Sequence, residues 1–363
     1  MPDRLLSWIV GTLAVAGLGV YVSASLGLAA RGAGSPLADM LAQVGLGFLG
    51  GGLLAWLLSR APQRWLRAWA TPVFVLALLV TALTLVPSLG ILHGGARRWL
   101  ALGPVSVQPA EFLKFAYVLL LAGLLSRKRR PAEAGERRSI VAPYLIATVP
   151  VATILALQPD RDNLALVALA GAAMAFAAGL SWRAVAAGLA IGVLAVAALL
   201  ASSSYTRERV QTFLHPAEDP LGSGYQVQQS TLAVGAGEEF GRGFGQSLQK
   251  FRYLPEPTSD SIFAVAAEEF GFLGSLALVL LFAALGIRTL VVAGRAPERF
   301  GALLCVGVGV LVTAQAFLNI GSMIGLVPLA GLALPLVSKG GTALLATLGA
   351  LGAVLGASRK SAA

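Results

Sequence analysis

Asp260 is the residue of this chain whose chemistry most needs an explanation. It ends a polar segment that begins at Tyr253, and the residues after it, Ser261 to Phe272, are typical of the start of a buried helix. A carboxylate at the edge of a bilayer is costly to keep without a use, so Asp260 is a candidate functional residue. Two structural alternatives stay open: Asp260 could cap the helix that follows, or it could pair with Lys250 or Arg252 in a solvated loop.

Basic residues are interleaved with carboxylates in the segments that we expect on the same side of a membrane as Asp260. The basic ones are Arg97, Arg98, Lys250, Arg252 and Lys339, and the acidic ones are Glu111, Asp160, Asp162, Glu256 and Asp260. Arginine and lysine bind phosphate groups through charge and hydrogen-bond geometry. The group as a whole predicts a phosphate or pyrophosphate ligand, although local pairing within a loop is the commoner explanation for any single residue.

Glu111 and Lys114 are three residues apart, so they share one face of a helix. They follow Pro109, which suits the first turn of that helix. Lys114 then lies about one turn inside an apolar run, where a lysine must reach outward or find an anion. An ion pair with Glu111 and contact with an anionic substrate explain it equally well.

The composition places the chain among membrane proteins. Hydrophobic residues make up 57% of 363 residues and charged residues only 12%, about half the charged fraction of a soluble domain. The single cysteine, Cys305, excludes a disulfide within the chain, and two histidines are too few for a histidine-rich metal site. No nucleic-acid partner is expected.

Ten apolar runs are candidates for membrane-spanning helices, because about 20 such residues cross the hydrocarbon core. They are Leu6–Leu28, Leu41–Leu58, Trp69–Leu89, Phe112–Leu125, Ala142–Leu157, Leu164–Leu180, Ala184–Ser202, Ile262–Leu285, Phe300–Leu318 and Leu334–Gly356. The pattern predicts an all-α polytopic membrane protein of ten transmembrane helices, with one large extracytoplasmic loop, residues 203–260, between helices 7 and 8. A loop of this length is usually functional or disordered, and its apolar residues between glycines favour folding back on the bundle.

The basic residues predict the orientation of the bundle. If both termini lie on one side, that side receives most of the 27 lysines and arginines and should be cytoplasmic. The two halves of the chain show no convincing internal repeat, and the remaining charges gather at one face. This favours an enzyme acting at the membrane surface over a transporter, which usually has repeats and broken helices near the midplane.

The chain resembles the SEDS family, the membrane peptidoglycan polymerases that include FtsW and RodA, over its whole length as a single domain of residues 1–363. The motifs that carry the resemblance are Gly95-Ala96-Arg97-Arg98-Trp99, Gln108-Pro109-Ala110-Glu111-Phe112-Leu113-Lys114, Gln158-Pro159-Asp160, Asp219-Pro220-Leu221-Gly222-Ser223-Gly224-Tyr225-Gln226, Gln249-Lys250-Phe251-Arg252-Tyr253-Leu254-Pro255-Glu256 with Asp260 and Glu268-Glu269, Asn319-Ile320-Gly321, and Leu334-Pro335-Leu336-Val337-Ser338-Lys339-Gly340-Gly341.

The resemblance implies an inverting glycosyltransferase that polymerises lipid II at the outer face of the bacterial cytoplasmic membrane. Asp260 matches the family's essential aspartate and is the implied general base. Cations at Arg98, Lys114 and Lys250, or a divalent Mg or Mn ion held by Asp160, would stabilise the leaving pyrophosphate. No organic cofactor is implied. The residues expected to bind substrate are Arg97, Arg98, Gln108, Glu111, Lys114, Gln158, Asp160, Lys250, Glu256, Ser338, Lys339 and Gly340.

The resemblance also implies partners: a class B penicillin-binding protein and other division or elongation membrane proteins. The residues of the motifs are closer to those of FtsW, the division enzyme, than to those of RodA, the elongation enzyme. The chain departs from the family pattern at several positions, which are Ala110, Arg161-Asp162-Asn163, Ser259, Ser261 and Lys339. The change after Asp160 puts its metal-holding role in doubt. A lipid II flippase and a non-catalytic division scaffold remain alternatives.

Overall fold

The structure is a computed structural model that describes residues 2–32, 36–93, 96–103, 105–127, 140–188, 190, 192, 211–215 and 224–359. Its named helices are α1 (Arg4–Ala30), α2 (Pro36–Leu41), α3 (Gly51–Arg60), α4 (Gln63–Leu83), α5 (Pro109–Leu125), α6 (Val141–Leu157), α7 (Arg161–Ala177), α8 (Tyr225–Ala236), α9 (Gln249–Arg252), α10 (Ile262–Arg295), α11 (Arg299–Met323) and α12 (Gly341–Ala357). Helix α11 lies at the centre, in contact with α5, α7, α10 and α12.

Within the described part of the chain, five helical stretches are long and apolar enough to cross a membrane. They are Arg4–Ala30, Asp39–Arg60, Gln63–Leu83, Ile262–Arg295 and Arg299–Met323, and two shorter apolar helices are Val141–Leu157 and Gly341–Ala357. The chain is therefore a multi-pass helical membrane protein. Most of the predicted seventh span, Ala184–Ser202, lies outside the described residues, as does Asp219 to Ser223 of the predicted motif.

The structure moves several predicted span boundaries: the eighth helix continues to Arg295 instead of ending at Leu285, and two other spans are shortened at one end. The third ends at Leu83 instead of Leu89, because a series of turns that contains Pro87 follows it. The tenth begins at Gly341 instead of Leu334, because residues 331–340 form a loop that ends at Gly340, whose φ of 147° suits glycine. Residues 84–89 and 331–340 are mostly apolar, so hydropathy alone did not place these ends.

The chain is not purely α-helical, although its apolar runs predicted an all-α protein. Between α4 and α5, strands β1 (Gly90–His93), β2 (Ala96–Leu102) and β3 (Val105–Val107) form an antiparallel sheet in the order β1-β2-β3. The prediction was wrong here because these strands are much shorter than a membrane span, so they produce no long apolar run.

The second span packs closely on the last helix through small residues. It consists of a π-helical segment, Ala42–Gly50, that leads directly into α3. A side chain at Gly352 of α12 would clash with the backbone of Ala55. Small residues at such a contact let two helices approach closely in a membrane, where packing provides much of the association energy.

Helix α10 is interrupted at Gly271, whose φ of 66° and ψ of −165° are not helical. The segment 237–243 packs against the backbone at this break. The N–H groups of Arg242 and Gly243 donate to the carbonyls of Glu268 and Glu269, at 3.0 Å in both cases. Part of the predicted loop 203–260 is thus ordered structure: it contains α8 and α9, and it folds against the bundle as its apolar residues had indicated.

The two ends of the described chain meet at one end of the bundle. The backbone N–H of Asp3 donates to the Ser358 hydroxyl at 2.9 Å, and the Asp3 carboxylate receives two hydrogen bonds from the guanidinium of Arg288 on α10. Asp3 and Ser358 therefore lie on the same side of the bundle.

Candidate functional site

Asp260 lies in a turn that is closed by backbone hydrogen bonds just before α10. The Glu256 carbonyl accepts from the N–H groups of Ser259 and Ser261, at 3.1 and 3.2 Å. The Asp260 side chain is half-buried and accepts from the Ser259 hydroxyl at 3.1 Å. The N-cap position of α10 belongs to Ser261. The first structural alternative for Asp260, as the N-cap residue, is therefore not what the fold uses.

The loop 331–340 supports this turn from one side. The Ser338 hydroxyl donates to the carbonyl of Ser259 at 2.7 Å, and the Lys339 N–H donates to the carbonyl of Thr258, also at 2.7 Å. Two consecutive residues of the loop thus hold the two carbonyls that precede Asp260. Ser338 is 6% exposed, so these bonds are shielded from water.

Asn319 of α11 supplies a third support. Its side-chain amide donates to the carbonyl of Asp260 at 2.8 Å and to the carbonyl of Leu332 at 2.6 Å. A buried amide that bridges two carbonyls ties the Asp260 turn and the loop 331–340 to one rigid helix. The backbone of Asp260 is therefore fixed while its carboxylate remains half-exposed.

A second polar cluster touches the same loop. Glu111 and Lys114 form an ion pair, which was one of the two explanations left open for Lys114, with Lys114 Nζ 2.8 Å from Glu111 Oε1. Lys114 Nζ also donates to Gln315 Oε1 at 2.7 Å, and the Gln315 amide donates to the Ala333 carbonyl at 2.8 Å. Lys114 is 1% exposed. These bonds hold a buried cation beside the loop that supports Asp260.

Arg98 of β2 reaches the turn between α6 and α7. Its Nη2 donates to the carbonyl of Pro159 at 2.5 Å and its Nε to that of Gln158 at 3.3 Å. The Gln158 amide in turn donates to the Thr81 carbonyl at 3.1 Å. The small sheet therefore positions Arg98 against a turn that is itself bound to α4.

Asp160 caps α7 from this turn. Its carboxylate accepts from the backbone and side-chain amides of Asn163, and it is 2% exposed. Burial raises the pKa of the Asp160 carboxyl, and the charge of Arg98 partly offsets this effect. Its neighbour Asp162 accepts from the Gly331 N–H at 3.2 Å. The cluster of Arg98, Asp160 and Asp162 thus also contacts the loop 331–340.

Lys250 lies in a buried network beside the break in α10. Its Nζ is 2.5 Å from Glu269 Oε1 and 2.8 Å from the Ser23 hydroxyl, which also donates to Glu269. The Ser247 hydroxyl donates to Glu268 at 2.5 Å. Lys250 is 0% exposed. The structure therefore does not place Lys250 with the other predicted substrate-binding cations, but in an internal ion pair.

Two further predicted residues lie beside the sheet. Arg97 donates to the carbonyls of Pro87 and Gly90, at 3.1 and 2.5 Å, which closes the turn before β1. Gln108 occupies the N-cap position of α5 and makes no side-chain capping bond. Arg97 and Gln108 are both half-buried.

The remaining predicted residues lie around the Asp260 turn. Lys339 Nζ is 2.6 Å from Asp39 Oδ2, and the Gly340 N–H donates to Gln43 at 2.8 Å. These contacts attach the loop 331–340 to the second span. Glu256 has a φ of 46°, which is uncommon outside glycine.

Asp160 is the predicted metal ligand, and its surroundings permit only a limited set of donors. Both of its oxygens accept hydrogen bonds from Asn163. Among the described residues, no group of three or more histidine, cysteine or acidic side chains could hold a metal ion. This donor set does not fit a site formed by the protein alone. A Mg²⁺ ion held here would take this one carboxylate and otherwise keep water and substrate phosphate ligands.

Several residues that build the site had no role assigned from the sequence, although Asn319 belongs to one of the family motifs. Gln315 and Asn319 support Lys114 and Asp260, and Arg31 supports the segment before Asp260. A signal was present for the first two, since buried amides four residues apart in an apolar helix are expensive and usually functional. Arg31 carries no comparable signal, because a basic residue after an apolar run is ordinary.

Comparisons with known proteins identify the family. A family model for FtsW, RodA and SpoVE, described as "Cell cycle protein", matches residues 4–363. The chain belongs to this SEDS family. A relative named probable peptidoglycan glycosyltransferase FtsW, from Halorhodospira halophila, is 38% identical over 359 residues, which cover 97% of this chain and 89% of the relative.

Two solved structures show that the SEDS fold extends over the whole chain. One belongs to a study of the structural coordination of polymerization and crosslinking by a peptidoglycan synthase complex. It has a TM-score of 0.79 and 34% identity, and covers 98% of this chain and 97% of that one. The other is Thermus thermophilus RodA, a rod shape determining protein, with a TM-score of 0.69, 29% identity and coverage of 99% and 97%. The predicted family is thereby confirmed.

Proposed function

We propose that this SEDS protein polymerises glycan strands from lipid II at the outer face of the cytoplasmic membrane, with Asp260 as the general base. The observation that carries the proposal is the loop 331–340. It contacts the Asp260 turn through Ser338, the Lys114 cluster through Ala333 and the Asp160 turn through Gly331. One candidate base and two groups that bear cations are thus held on a single loop. Membership of the FtsW, RodA and SpoVE family supports the same reaction.

The proposed reaction is an inverting displacement. The 4-hydroxyl of one lipid II disaccharide attacks the anomeric carbon of the growing strand, and the bond from that carbon to undecaprenyl pyrophosphate breaks. The Asp260 carboxylate accepts the hydroxyl proton as the new glycosidic bond forms. A positioned base of this kind accelerates proton transfer roughly a hundredfold to ten thousandfold. The fixed Asp260 backbone serves this role because the base must stay within hydrogen-bond reach of the attacking hydroxyl.

The pyrophosphate carries the negative charge that develops as it leaves. Arg98 and Lys114 are the described cations that we assign to it, since both lie on clusters joined to the loop 331–340. The ammonium of Lys114 has three hydrogens, and its contacts with Glu111 and Gln315 use two of them. A fixed cation stabilises developing charge strongly where water is excluded. A Mg or Mn ion bound by Asp160 and phosphate oxygens would supply further Lewis-acid stabilisation.

The proposal includes the topology and the partners. Ten membrane spans with both termini in the cytoplasm are supported by the distribution of basic residues and by the contact of Asp3 with Ser358. A class B penicillin-binding protein is the proposed transpeptidase partner, which the likeness to a peptidoglycan synthase complex supports. Relatives named FtsW favour a role in cell division over the RodA-type role in elongation.

The test is polymerisation of lipid II by the purified chain with its cognate class B partner. We expect glycan strands from the wild type and none from Asp260→Asn, which keeps the side-chain shape but cannot accept the proton. Folding and partner binding, measured by size-exclusion chromatography, should be equal in the two proteins. Chelation with EDTA followed by return of Mg²⁺ tests the divalent ion in the same assay.

Two outcomes would contradict the proposal. Equal polymerisation by wild type and Asp260→Asn would remove Asp260 from the chemistry. Failure of both, with the partner bound, would favour the flippase or the scaffold, and the interrupted helix α10 is a feature that transporters also use. A lipid II translocation assay with the same preparation then separates a flippase from a scaffold.

A further inference from the structure

Arg31, the C-cap residue of α1, binds the segment that leads to Asp260. It donates through Nη2 to the carbonyl of Lys250 at 2.6 Å and through Nε to the carbonyl of Phe251 at 2.9 Å. Longer bonds of 3.3 Å reach the carbonyls of Gln249 and Leu254. One guanidinium thus contacts four carbonyl groups of the turn 249–254.

Arg31 is the end of a continuous docking face on α1. Ser23, Gly27 and Arg31 are spaced by four residues, so they share one side of the helix. Ser23 accepts from Lys250 Nζ at 2.8 Å. A side chain at Gly27 would come within 2.6 Å of the Lys250 carbonyl, so the absence of a side chain there is what lets the turn approach. The last turns of α1 therefore form the surface on which the turn 249–254 packs.

The turn 249–254 passes this constraint along the chain to Asp260. Its own backbone is closed by bonds from the Tyr253 and Leu254 N–H groups to the Gln249 carbonyl, at 3.1 and 2.9 Å. Leu254 is 0% exposed, so the turn is also anchored in the core. The turn at Glu256, which holds Asp260, begins two residues later. The loop 331–340 supports the Asp260 turn from one side, and α1 fixes the segment that enters it.

We propose that Arg31 is a positioning residue for Asp260, acting through the backbone of the turn 249–254 and without touching the substrate. This inference rests on the proposed function, in which Asp260 is the base. The role requires a guanidinium, because its planar fork can donate to several carbonyls at once. A lysine at this position carries the same charge, but its three N–H donors are all on one nitrogen. It can therefore replace some of the four carbonyl contacts and not all of them.

The experiment compares Arg31→Ala and Arg31→Lys in the full chain with its class B partner, using lipid II polymerisation over a range of pH. We expect Arg31→Ala to lower kcat about tenfold to a hundredfold, since a misplaced catalytic group costs up to about a hundredfold. KM should change little, the acid limb of the kcat profile should move, and Arg31→Lys should lie between the two. The control is Arg288→Ala, which removes an arginine at the opposite end of the bundle and should keep the wild-type profile.

Two results would overturn the inference. If kcat per folded molecule and the acid limb stay at wild-type values, Arg31 only stabilises the fold. If KM rises while kcat is unchanged, Arg31 contacts substrate. Asp260→Asn is measured in parallel: an active Asp260→Asn protein would refute the proposed function itself, whereas an inactive one beside a wild-type-like Arg31→Ala would refute only the role of Arg31.

Discussion

Lys250 Nζ lies 2.5 Å from Glu269 Oε1, and neither side chain is exposed to solvent. Glu269 belongs to the half of α10 that precedes the break at Gly271, and Lys250 belongs to the turn that leads to Asp260. The pair therefore joins the interrupted helix to the segment that carries the candidate base. Binding of a substrate by Lys250, as the resemblance implied, would require this pair to open.

The first prediction concerns this pair. Lys250→Met leaves the Glu269 carboxylate buried without its cation, so we expect a loss of about 3–5 kcal/mol in the free energy of unfolding. The double variant Lys250→Met, Glu269→Leu should recover part of that loss. Thermal unfolding in detergent measures both. A Lys250→Met protein of unchanged stability that has lost polymerisation would instead place Lys250 in contact with substrate.

A second prediction concerns Ser338, whose hydroxyl accepts from the Leu334 N–H and donates to the Ser259 carbonyl, both at 2.7 Å. Ser338→Ala leaves the buried Leu334 N–H and the partly buried Ser259 carbonyl without this partner, and a fully buried group left so costs about 1–3 kcal/mol. We expect lower stability and a lower kcat with little change in KM. Thr347→Ala is the matched control, because that hydroxyl bonds only within α12 in the described contacts. Equal kcat in the Ser338 and Thr347 variants would contradict the prediction.

A third prediction follows from the raised pKa of Asp160. Burial favours the protonated carboxyl of Asp160 in the folded state. The stability that this protonated group contributes is present below the ordinary carboxyl pKa, and it is lost as pH rises through the raised pKa of the folded state. We therefore expect Asp160→Asn to be more stable than wild type at neutral pH, with the difference shrinking toward acid. Unfolding temperatures across this pH range provide the measurement. A less stable Asp160→Asn at neutral pH would show that the charge of Arg98 outweighs burial.

A fourth prediction has the opposite sign. The guanidinium of Arg288 lowers the pKa of the Asp3 carboxyl, so the stability it contributes is present above the ordinary pKa and is lost as pH falls through the lowered folded value. Asp3→Asn should lower the unfolding temperature at neutral pH by a few degrees at most, since the pair is partly exposed. The difference should vanish in acid. Polymerisation per folded molecule should not change, and a loss there would contradict a purely structural role.

A fifth prediction tests the break in α10. Gly271 has a positive φ, and a side chain there would clash with the backbone N of Gly241. Gly271→Ala should therefore destabilise the protein by more than about 1 kcal/mol. Gly294→Ala is the control, because it lies on the same helix with no atom within 4 Å of the new side chain. If both variants unfold at the wild-type temperature, the break does not depend on glycine.

The sequence alone determined the class of the protein, most of its long helices and the position of its candidate base. Hydropathy identifies membrane helices because each must satisfy its backbone hydrogen bonds within an apolar segment of a set length. The predicted fifth span, Ala142–Leu157, differs from the observed Val141–Leu157 by one residue. The motifs surrounding Asp260 were sufficient to indicate the SEDS family, because they are local runs of residues that do not depend on long-range contacts.

Only the tertiary structure decided which polar residues pair with one another and which of them surround Asp260. Local spacing placed Glu111 and Lys114 on one face of a helix, which made their ion pair one of the two explanations for Lys114. It could not predict the pair of Lys250 with Glu269, or the contacts of Arg31 with carbonyls more than two hundred residues away. Nor did hydropathy separate the loop 331–340 from the helix after it, since the loop is mostly apolar despite Lys339. Long-range packing brings these groups together. The sequence shows which residues are present, but it does not show which of them lie close together in the fold.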